Sequence, residues 1–154
     1  MKYTILIVDD EDIGRHTLKI LLEQLFWAHI LRIDFSTTFK ETQSRIASSS
    51  YDLIFLDINL KGISAFDLLR FIPSTTKIIF VTAYSEFMLQ AIRNQAFDYL
   101  LKPVKKTELD DCLRRVIELS SIKSSANTIN IKSRGITKPV AFSDIIYIEG
   151  DGPY

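Results

Sequence analysis

Short continuous apolar runs alternate with segments of helical spacing along most of the chain, and this alternation restricts the fold more than any other feature. The runs at residues 5–8 and 53–56 contain no polar residue, as in strands that are buried on both faces of a parallel sheet. Further strands are predicted over residues 30–35, 78–81 and 97–101. Helices are predicted over residues 13–26, 38–49, 66–71, 85–95 and 105–120. This alternation predicts a doubly wound α/β fold, in which a five-stranded parallel sheet is covered by five helices.

The pattern changes near residue 121, and we expect a domain boundary there. Residues 1–121 fit the size of one domain. Residues 122–127 are rich in serine and predict a linker. In residues 128–154, strands are predicted at 128–132, 140–142 and 145–148, with a turn at Gly135. So few strands cannot bury a core of their own, and we interpret this segment as the incomplete start of a β-rich domain.

The composition argues against several classes of protein. The 19 basic and 19 acidic residues cancel, so no overall field favours a nucleic acid or a membrane surface. No apolar run approaches the roughly 18 residues that span a bilayer, and the N-terminal run is too short for a signal peptide. A single cysteine, Cys112, cannot form an internal disulfide, which fits a reducing cytosol. We therefore expect a cytoplasmic protein.

Polar residues that can bind ions or phosphate follow four of the five predicted strands. They are Asp9 and Asp10 after the first strand, Asp57 after the third, Thr82 after the fourth and Lys102 after the fifth. The carboxyl ends of the strands form the ligand crevice of an open α/β sheet, which is deepest where the strand order reverses. In the flavodoxin-like order 2-1-3-4-5, strands one and three are neighbours at this reversal. The three aspartates would then converge.

Three converging carboxylates repel one another unless a cation lies among them. Mg2+ is well suited, because it prefers a few carboxylates, water and phosphate oxygens to a full protein cage. A site with one spare carboxylate suits phosphoryl transfer, in which an aspartate oxygen attacks phosphorus to form an acyl phosphate. Lys102 would add positive charge near the phosphoryl group, and Thr82 would add a hydroxyl donor.

Each of these residues also has an ordinary explanation. An aspartate at a strand end is usually a helix cap or a turn residue, and Asp12 would favour the start of the first helix. Thr82 alone is more often a cap than a ligand, and Lys102 before proline is more often a surface residue. Their joint placement at strand ends favours the site over these separate explanations.

The strand-end residues lie in four stretches that resemble the receiver domain of response regulators. The stretches are Ile-Val-Asp-Asp-Glu at 7–11, Leu-Asp-Ile-Asn-Leu at 56–60, Val-Thr-Ala at 81–83 and Tyr-Leu-Leu-Lys-Pro at 99–103. They match the family in order and spacing over about residues 3–121. The resemblance implies a two-component system, in which a sensor histidine kinase passes a phosphoryl group to an aspartate with the help of Mg2+.

The resemblance implies a role for each matching acid. Asp57 would be the phosphoacceptor. Asp10 would bind Mg2+ directly, and Asp9 would assist, usually through water. Asp57 itself and the backbone carbonyl of Asn59 would complete the protein ligands.

The remaining motif residues have implied roles as well. Thr82 and Lys102 would contact the phosphoryl group, and the Lys102–Pro103 peptide bond would be cis. Tyr99 would be the switch aromatic, which swings inward as Thr82 moves. One departure lies close to the site: Lys61 precedes Gly62 where the family commonly has Pro-Gly, and a lysine there could alter phosphate lifetime or donor approach.

The last part of the chain resembles the start of a LytTR-type DNA-binding domain, through residues 142–150 and 152–154. In that family the domain is a β-fold that binds DNA through loops, and the parent proteins regulate transcription. We expect most of the DNA-contacting part to lie beyond Tyr154, so DNA binding would belong to the full-length protein. Residues 132, 134 and 138 are basic, but three charges would give only weak, salt-sensitive contacts with phosphates.

Two other functions compete with the phosphoacceptor switch. A metal-dependent phosphohydrolase usually has a second acid two residues after its nucleophile, where this chain has Asn59. A flavodoxin-like binding module would need a phosphate loop after strand one, where the acidic residues 9–12 would repel a phosphate. We therefore predict a switch and not an enzyme. His16 and His29 lie away from the predicted crevice, so the donor histidine is expected on a partner kinase that docks near the first helix.

Residues 85–118 are predicted to form the output surface. They carry charges of both signs, which suit a symmetric dimer in which each acid meets a base of the partner. Such charges are equally typical of any solvated helix. We expect phosphorylation to shift an existing equilibrium towards a homodimer.

Overall fold

The computed structural model describes the backbone of residues 1–126, 128–133 and 136–141, and the side chains of residues 1–121. The chain divides into two compact units, Met1–Cys112 and Leu113–Tyr154. The strands of the first unit are β1 (Tyr3–Val8), β2 (Ile30–Ser36), β3 (Leu53–Leu56), β4 (Asn59–Leu60), β5 (Ile63–Ser64), β6 (Lys77–Thr82) and β7 (Asp98–Leu101).

The five longer strands form one parallel sheet in the order β2-β1-β3-β6-β7. Strands β6 and β7 are the fourth and fifth predicted strands, so the predicted order 2-1-3-4-5 is confirmed. Every residue of β3 is buried, as its uninterrupted apolar sequence predicts for a central strand.

The two-residue strands β4 and β5 form an antiparallel hairpin that the sequence did not reveal. Lys61 and Gly62 connect them with φ values of 52° and 84°. Positive φ at both central residues is what a type I′ hairpin turn requires. The hairpin begins two residues after Asp57 and reverses the chain direction next to the site.

Four α-helices and two 3-10 helices accompany these strands in the described residues. The α-helices are α1 (Asp12–Phe26), α2 (Phe39–Ser48), α3 (Met88–Arg93) and α4 (Lys106–Ala126), and the 3-10 helices are Trp27–His29 and Ala65–Phe71. The third predicted helix is present and has 3-10 geometry. It has only the seven residues between the hairpin and Ile72, which is held extended before Pro73, and such short segments favour 3-10 geometry.

Two helices differ in length from the predicted ones by more than two residues. Helix α3 is shorter, and Gln95, just beyond it, has a φ of 58°, the left-handed conformation that follows many helix ends. Helix α4 continues to Ala126, so residues 122–126, which were expected as a linker, are helical. The hydroxyls of Ser120 and Ser121 donate to the carbonyls of Val116 and Ile117, at 2.8 and 2.9 Å, which accommodates these serines within the helix.

The core of the first unit lies against the central strands. Leu6, Leu56 and Phe80 come from three neighbouring strands and share one buried cluster with Leu68 of the second 3-10 helix. Full burial of such a side chain contributes about 1.5–3 kcal/mol. This packing fixes β1, β3 and β6 side by side, and it therefore fixes the spacing of their carboxyl ends.

The second unit contains an antiparallel hairpin of β8 (Thr128–Ser133) and β9 (Ile136–Ala141). Strand β8 contains the predicted strand at 128–132, and β9 includes Val140 and Ala141 of the next one. The predicted turn at Gly135 and the predicted strand at 145–148 lie outside the described residues. None of the described helices is long and apolar enough to span a bilayer.

Candidate functional site

The three aspartates that were predicted from the strand ends lie together at the carboxyl edge of the sheet. Hydrogen bonds next to the strands position them: the N–H of Asp57 donates to the carbonyl of Val8 at 2.8 Å, and that of Asp9 donates to Ser36 at 3.1 Å. Oxygens from the carboxylates of Asp9, Asp10 and Asp57 all lie within 4.8 Å of one another. Asp9 and Asp57 are buried, whereas Asp10 is partly exposed.

Lys102 reaches the same cluster from the end of β7. Its backbone N–H donates to the carbonyl of Thr82 at 2.8 Å. Its ammonium group lies 2.7 Å from Oδ2 of Asp57 and 2.8 Å from Oδ2 of Asp9. The Lys102–Pro103 peptide bond is cis, the isomer that the resemblance implied.

The charges of these side chains depend on one another. Burial raises the pKa of Asp9, and the hydrogen bond from Lys102 only partly opposes this effect. Burial alone would lower the pKa of Lys102, but the hydrogen bonds and charges of Asp57 and Asp9 outweigh it and raise that pKa. Lys102 therefore stays charged, while Asp9 bears an electrostatic cost of its burial.

Thr82 ends β6, the strand beside β3, and Asn59 follows Asp57 by two residues. The hydroxyl of Thr82 is fully buried and has no hydrogen-bond partner in the part of the chain that the structure describes. The backbone N–H of Asn59 lies 3.4 Å from Oδ1 of Asp57. The side-chain oxygen of Asn59 accepts a hydrogen bond from the N–H of Gly62 at 2.7 Å. An unpaired buried hydroxyl is unfavourable unless a ligand pairs with it, so Thr82 fits a phosphoryl contact.

Tyr99 is half-buried and packs against Phe80, with 6.2 Å between the ring centroids. Its hydroxyl donates to the backbone carbonyl of Tyr84. Burial raises the pKa of Tyr99, and the charges of Glu86 and Asp57 add to this effect. The ring therefore connects the site with the segment that leads into α3.

Sequence reasoning missed three residues that contact the site. The carboxylate of Glu11 lies 3.2 Å from the ammonium of Lys102. Arg15 is buried and donates to the carbonyl of Asp9. The hydroxyl of Tyr84 accepts from the side-chain amide of Asn59 at 3.3 Å. Glu11 belongs to the motif at 7–11, which was a usable signal, whereas the other two contacts depend on side-chain directions that no spacing reveals.

The histidines lie elsewhere on the molecule. His16 stacks on Phe35 and contacts the carbonyl of Asp12 at 2.8 Å. His29 contacts the carbonyl of Met1 at 3.2 Å. Neither ring belongs to the acidic cluster.

The sequence that forms this acidic cluster and the lysine beside it matches the model of a known protein family. The model of the response regulator receiver domain matches residues 5–114, a stretch that contains the whole cluster. The chain belongs to the response-regulator receiver family. The receiver domain therefore includes residues 5–114.

The receiver domain is similar to sensory transduction proteins named LytR and LytT. The chain is 34% identical over 137 residues to LytR of Staphylococcus haemolyticus, covering 82% of this chain and 53% of the relative. It is 28% identical over 147 residues to LytT of Enterococcus faecalis, covering 94% and 60%. The chain is thus a receiver domain of LytR/LytT-like two-component regulators, and its matches span about half the length of these curated relatives.

Solved receiver domains have the same fold. The response regulatory domain of mrkE from Klebsiella pneumoniae matches with a TM-score of 0.65 and 25% identity, over 75% of this chain and 96% of that one. A CheY-like receiver domain from Methylobacillus flagellatus matches with a TM-score of 0.64 and 22% identity, over 75% and 99%. These matches establish the flavodoxin-like arrangement of the sheet.

Proposed function

We propose that Asp57 accepts a phosphoryl group from a sensor histidine kinase in the presence of Mg2+. In this proposal, phosphorylation switches dimerisation and the output of a DNA-binding domain in the full-length protein. The observation that carries the proposal is the convergence of three carboxylates, whose oxygens lie within 4.8 Å of one another, with the ammonium of Lys102 2.7 Å from Asp57.

The side chains around Asp57 suit the transfer step. A carboxylate oxygen of Asp57 forms a bond to phosphorus while the bond from phosphorus to the donor imidazole nitrogen breaks, and that nitrogen keeps the electron pair. The ammonium group of Lys102 lies 2.7 Å from the carboxylate of Asp57, so it can bind the negatively charged phosphoryl oxygens once Asp57 is phosphorylated. The hydroxyl of Thr82 is free to donate to the same group.

The donor set of the cluster fits Mg2+. Asp9, Asp10 and Asp57 offer carboxylate oxygens, the hard ligands that this ion prefers, and the backbone carbonyl of Asn59 is the proposed further ligand. When bound, Mg2+ supplies positive charge that neutralises the phosphoryl oxygens. Burial raises the pKa of Asp9, and bound Mg2+ would place a second cation, in addition to Lys102, next to this carboxylate.

A groove beside Lys102 supports docking of the donor near the first helix. It has a volume of about 670 Å3 and is lined mainly by apolar residues of α1 and of the segment after β7. Ile13, on the first turn of α1, is 83% exposed and lines it together with Pro103 and Val104. Lys102, which contacts Asp57, also lines this groove, so an exposed isoleucine there is a suitable contact for a partner that must bring its histidine to Asp57.

We propose that phosphorylation strengthens a homodimer through residues 85–118. Within the first unit, Leu89 and Ile92 of α3 are 57% and 64% exposed. The hydroxyl of Tyr99 is hydrogen-bonded to the carbonyl of Tyr84, and Tyr84 lies four residues before Met88, the first residue of α3. A movement of the Tyr99 ring would therefore be transmitted to this helix. Exposed apolar side chains among charges of both signs suit a self-complementary surface.

The remaining parts of the proposal concern the longer protein. Residues 1–121 would form the receiver domain and residues 128–154 the start of a LytTR-type domain, which binds DNA in the full-length protein. The names of the relatives support this assignment. We expect the exchange to take place in the cytoplasm, because a sequence with a single cysteine has no internal disulfide that an oxidising compartment would have to form.

Incubation with acetyl phosphate and Mg2+ tests the function by intact-mass spectrometry. We expect one phosphate per chain in the wild type and in Asp67→Asn, an exposed control, and none in Asp57→Asn. Sustained release of many phosphates per chain would show a phosphohydrolase instead. No adduct in the wild type would also contradict the proposal, and tight flavin binding would then favour a binding module.

A further inference from the structure

We propose that Glu11 is a positioning residue for Lys102, because its carboxylate draws the ammonium group towards the rim of the site when the acids bind a cation. This inference rests on the proposed function, since it concerns how the same cluster admits Mg2+. The contact joins Glu11, just before α1, with Lys102, just after β7, and the sequence motifs assign no role to it.

The ammonium of Lys102 has three N–H donors and three carboxylate partners. It lies 2.7 Å from Asp57, 2.8 Å from Asp9 and 3.2 Å from Glu11. The side chains of Asp57 and Asp9 are 9% and 6% exposed, whereas that of Glu11 is 68% exposed. Lys102 therefore bridges two buried acids of the cluster and one acid at its rim.

The two buried partners of Lys102 are also two of the three proposed metal ligands. Two cations that share the same carboxylates repel each other, so Lys102 has to loosen its contact with Asp9 and Asp57 when they bind a divalent ion. Glu11 is not part of the cluster, and it remains an acceptor for the ammonium group at that moment.

The position of Glu11 in the helix supports this role. Glu11 is the N-cap residue of α1, but its side chain makes no capping hydrogen bond. Serine, threonine, aspartate and asparagine are the preferred caps, so glutamate is a poor choice for the helix itself. Its backbone N–H donates to Oδ1 of Asp9 at 2.8 Å, while its side chain turns to Lys102. Both of these contacts serve the site and not the helix.

A double-mutant cycle on Mg2+ affinity tests the inference. Glu11→Gln should weaken Mg2+ binding, measured by titration calorimetry at fixed ionic strength, by about threefold, the size expected of a partly exposed ion pair. In a Lys102→Met background the same substitution should change the affinity by much less. Equal weakening in both backgrounds would show that Glu11 acts only as a distant charge, and it would overturn the inference.

A second variant separates positioning from helix stability. Glu11→Ser should stabilise α1, since serine is a better N-cap, yet weaken Mg2+ binding as much as Glu11→Gln does. In both variants the Mg2+ concentration for half-maximal phosphorylation by acetyl phosphate should rise, while the rate at saturating Mg2+ stays within about twofold. A fall of the saturated rate with an unchanged Mg2+ midpoint would contradict the inference.

Failure of the proposed function has a different signature. If that function is wrong, wild-type Asp57 takes up no phosphate at all. If only the role of Glu11 is wrong, the wild type is phosphorylated normally and the effects of Glu11→Gln are the same with and without Lys102.

Discussion

At the scale of single residues, the carboxylate of Asp9 is held where folding disfavours its charge. Burial raises its pKa, the hydrogen bonds from Lys102 and Glu11 oppose this, and the nearby charge of Asp57 adds to it. A carboxyl group with a raised pKa in the folded state destabilises the fold above that pKa, and the penalty disappears as the pH falls through it. The metal-free site therefore lowers the stability of the receiver domain at neutral pH.

Asp9→Asn should stabilise the metal-free protein by about 1 kcal/mol at neutral pH, because it removes a buried charge while Lys102 keeps Asp57 and Glu11 as partners. Urea unfolding in EDTA at neutral and at acidic pH measures the effect. The gain should shrink at acidic pH, where wild-type Asp9 is protonated. Asp67→Asn should change stability by less than about 0.5 kcal/mol. A gain that is equal at both pH values would contradict the explanation.

Lys61 adopts a backbone conformation that suits lysine poorly. Its φ of 52° is left-handed, and Asn-Gly is the preferred pair for a turn with two such residues. Lys61→Asn should therefore stabilise the fold by about 0.5 kcal/mol in urea unfolding. Lys61→Gln removes the same charge without the preference for the left-handed region, so it should not stabilise the fold. Equal effects of the two substitutions would show that the charge, and not the backbone, matters.

At the scale of elements, helix α2 depends on its first turn. Thr42 is the one residue of this helix that is buried, and Phe39 and Ile46 are only partly buried against the core cluster, so the ends of the helix matter for its stability. The hydroxyl of Thr38 accepts from the N–H of Glu41 at 3.2 Å, and the carboxylate of Glu41 accepts from the N–H of Thr37 at 2.9 Å. These reciprocal bonds satisfy backbone donors that the helix leaves unpaired.

Thr38→Ala should destabilise the protein by about 1 kcal/mol, through loss of the cap. Amide hydrogen exchange should show faster opening of α2 than of β3. Ser44→Ala, at an exposed position within α2, is the matched control and should have little effect. Equal destabilisation by both variants would argue against the importance of the cap.

The elements that the sequence predicted best are those with strong periodicity. The apolar runs of β1 and β3 placed these strands, whereas their order was taken from the flavodoxin-like class, one of two common orders of doubly wound sheets. The third helix was predicted as a short helix without a type, because its apolar spacing does not distinguish α from 3-10 geometry. The hairpin β4–β5 was missed because two-residue strands have no measurable period.

The site was predictable where it depends on chain position and not where it depends on side-chain direction. Asp9, Asp10 and Asp57 could be placed together because parallel strands end at one edge of a sheet. The contacts of Lys102 with Glu11 and of Asn59 with Tyr84 join residues far apart in the sequence through particular rotamers. No spacing rule contains that information.

At the scale of the whole molecule, phosphorylation should convert the monomer into a dimer and so double the molar mass in solution. Light scattering of the phosphorylated chain should show a dimer, and Ile92→Asp should prevent dimerisation while Asp57 is still phosphorylated. Leu31→Asp, at a similarly exposed apolar position on β2, should leave the dimer intact. An unchanged mass on phosphorylation, or the same loss in both variants, would contradict dimerisation through residues 85–118.

If Asp57 is the one residue that receives the phosphoryl group, peptide mapping by mass spectrometry will locate the phosphate there. The wild type and Asp57→Asn are incubated with acetyl phosphate and Mg2+, digested and compared. We expect phosphate on the wild-type peptide that contains Asp57 and no phosphate on any peptide of the variant. Phosphate on another residue, or equal incorporation in Asp57→Asn, would contradict it.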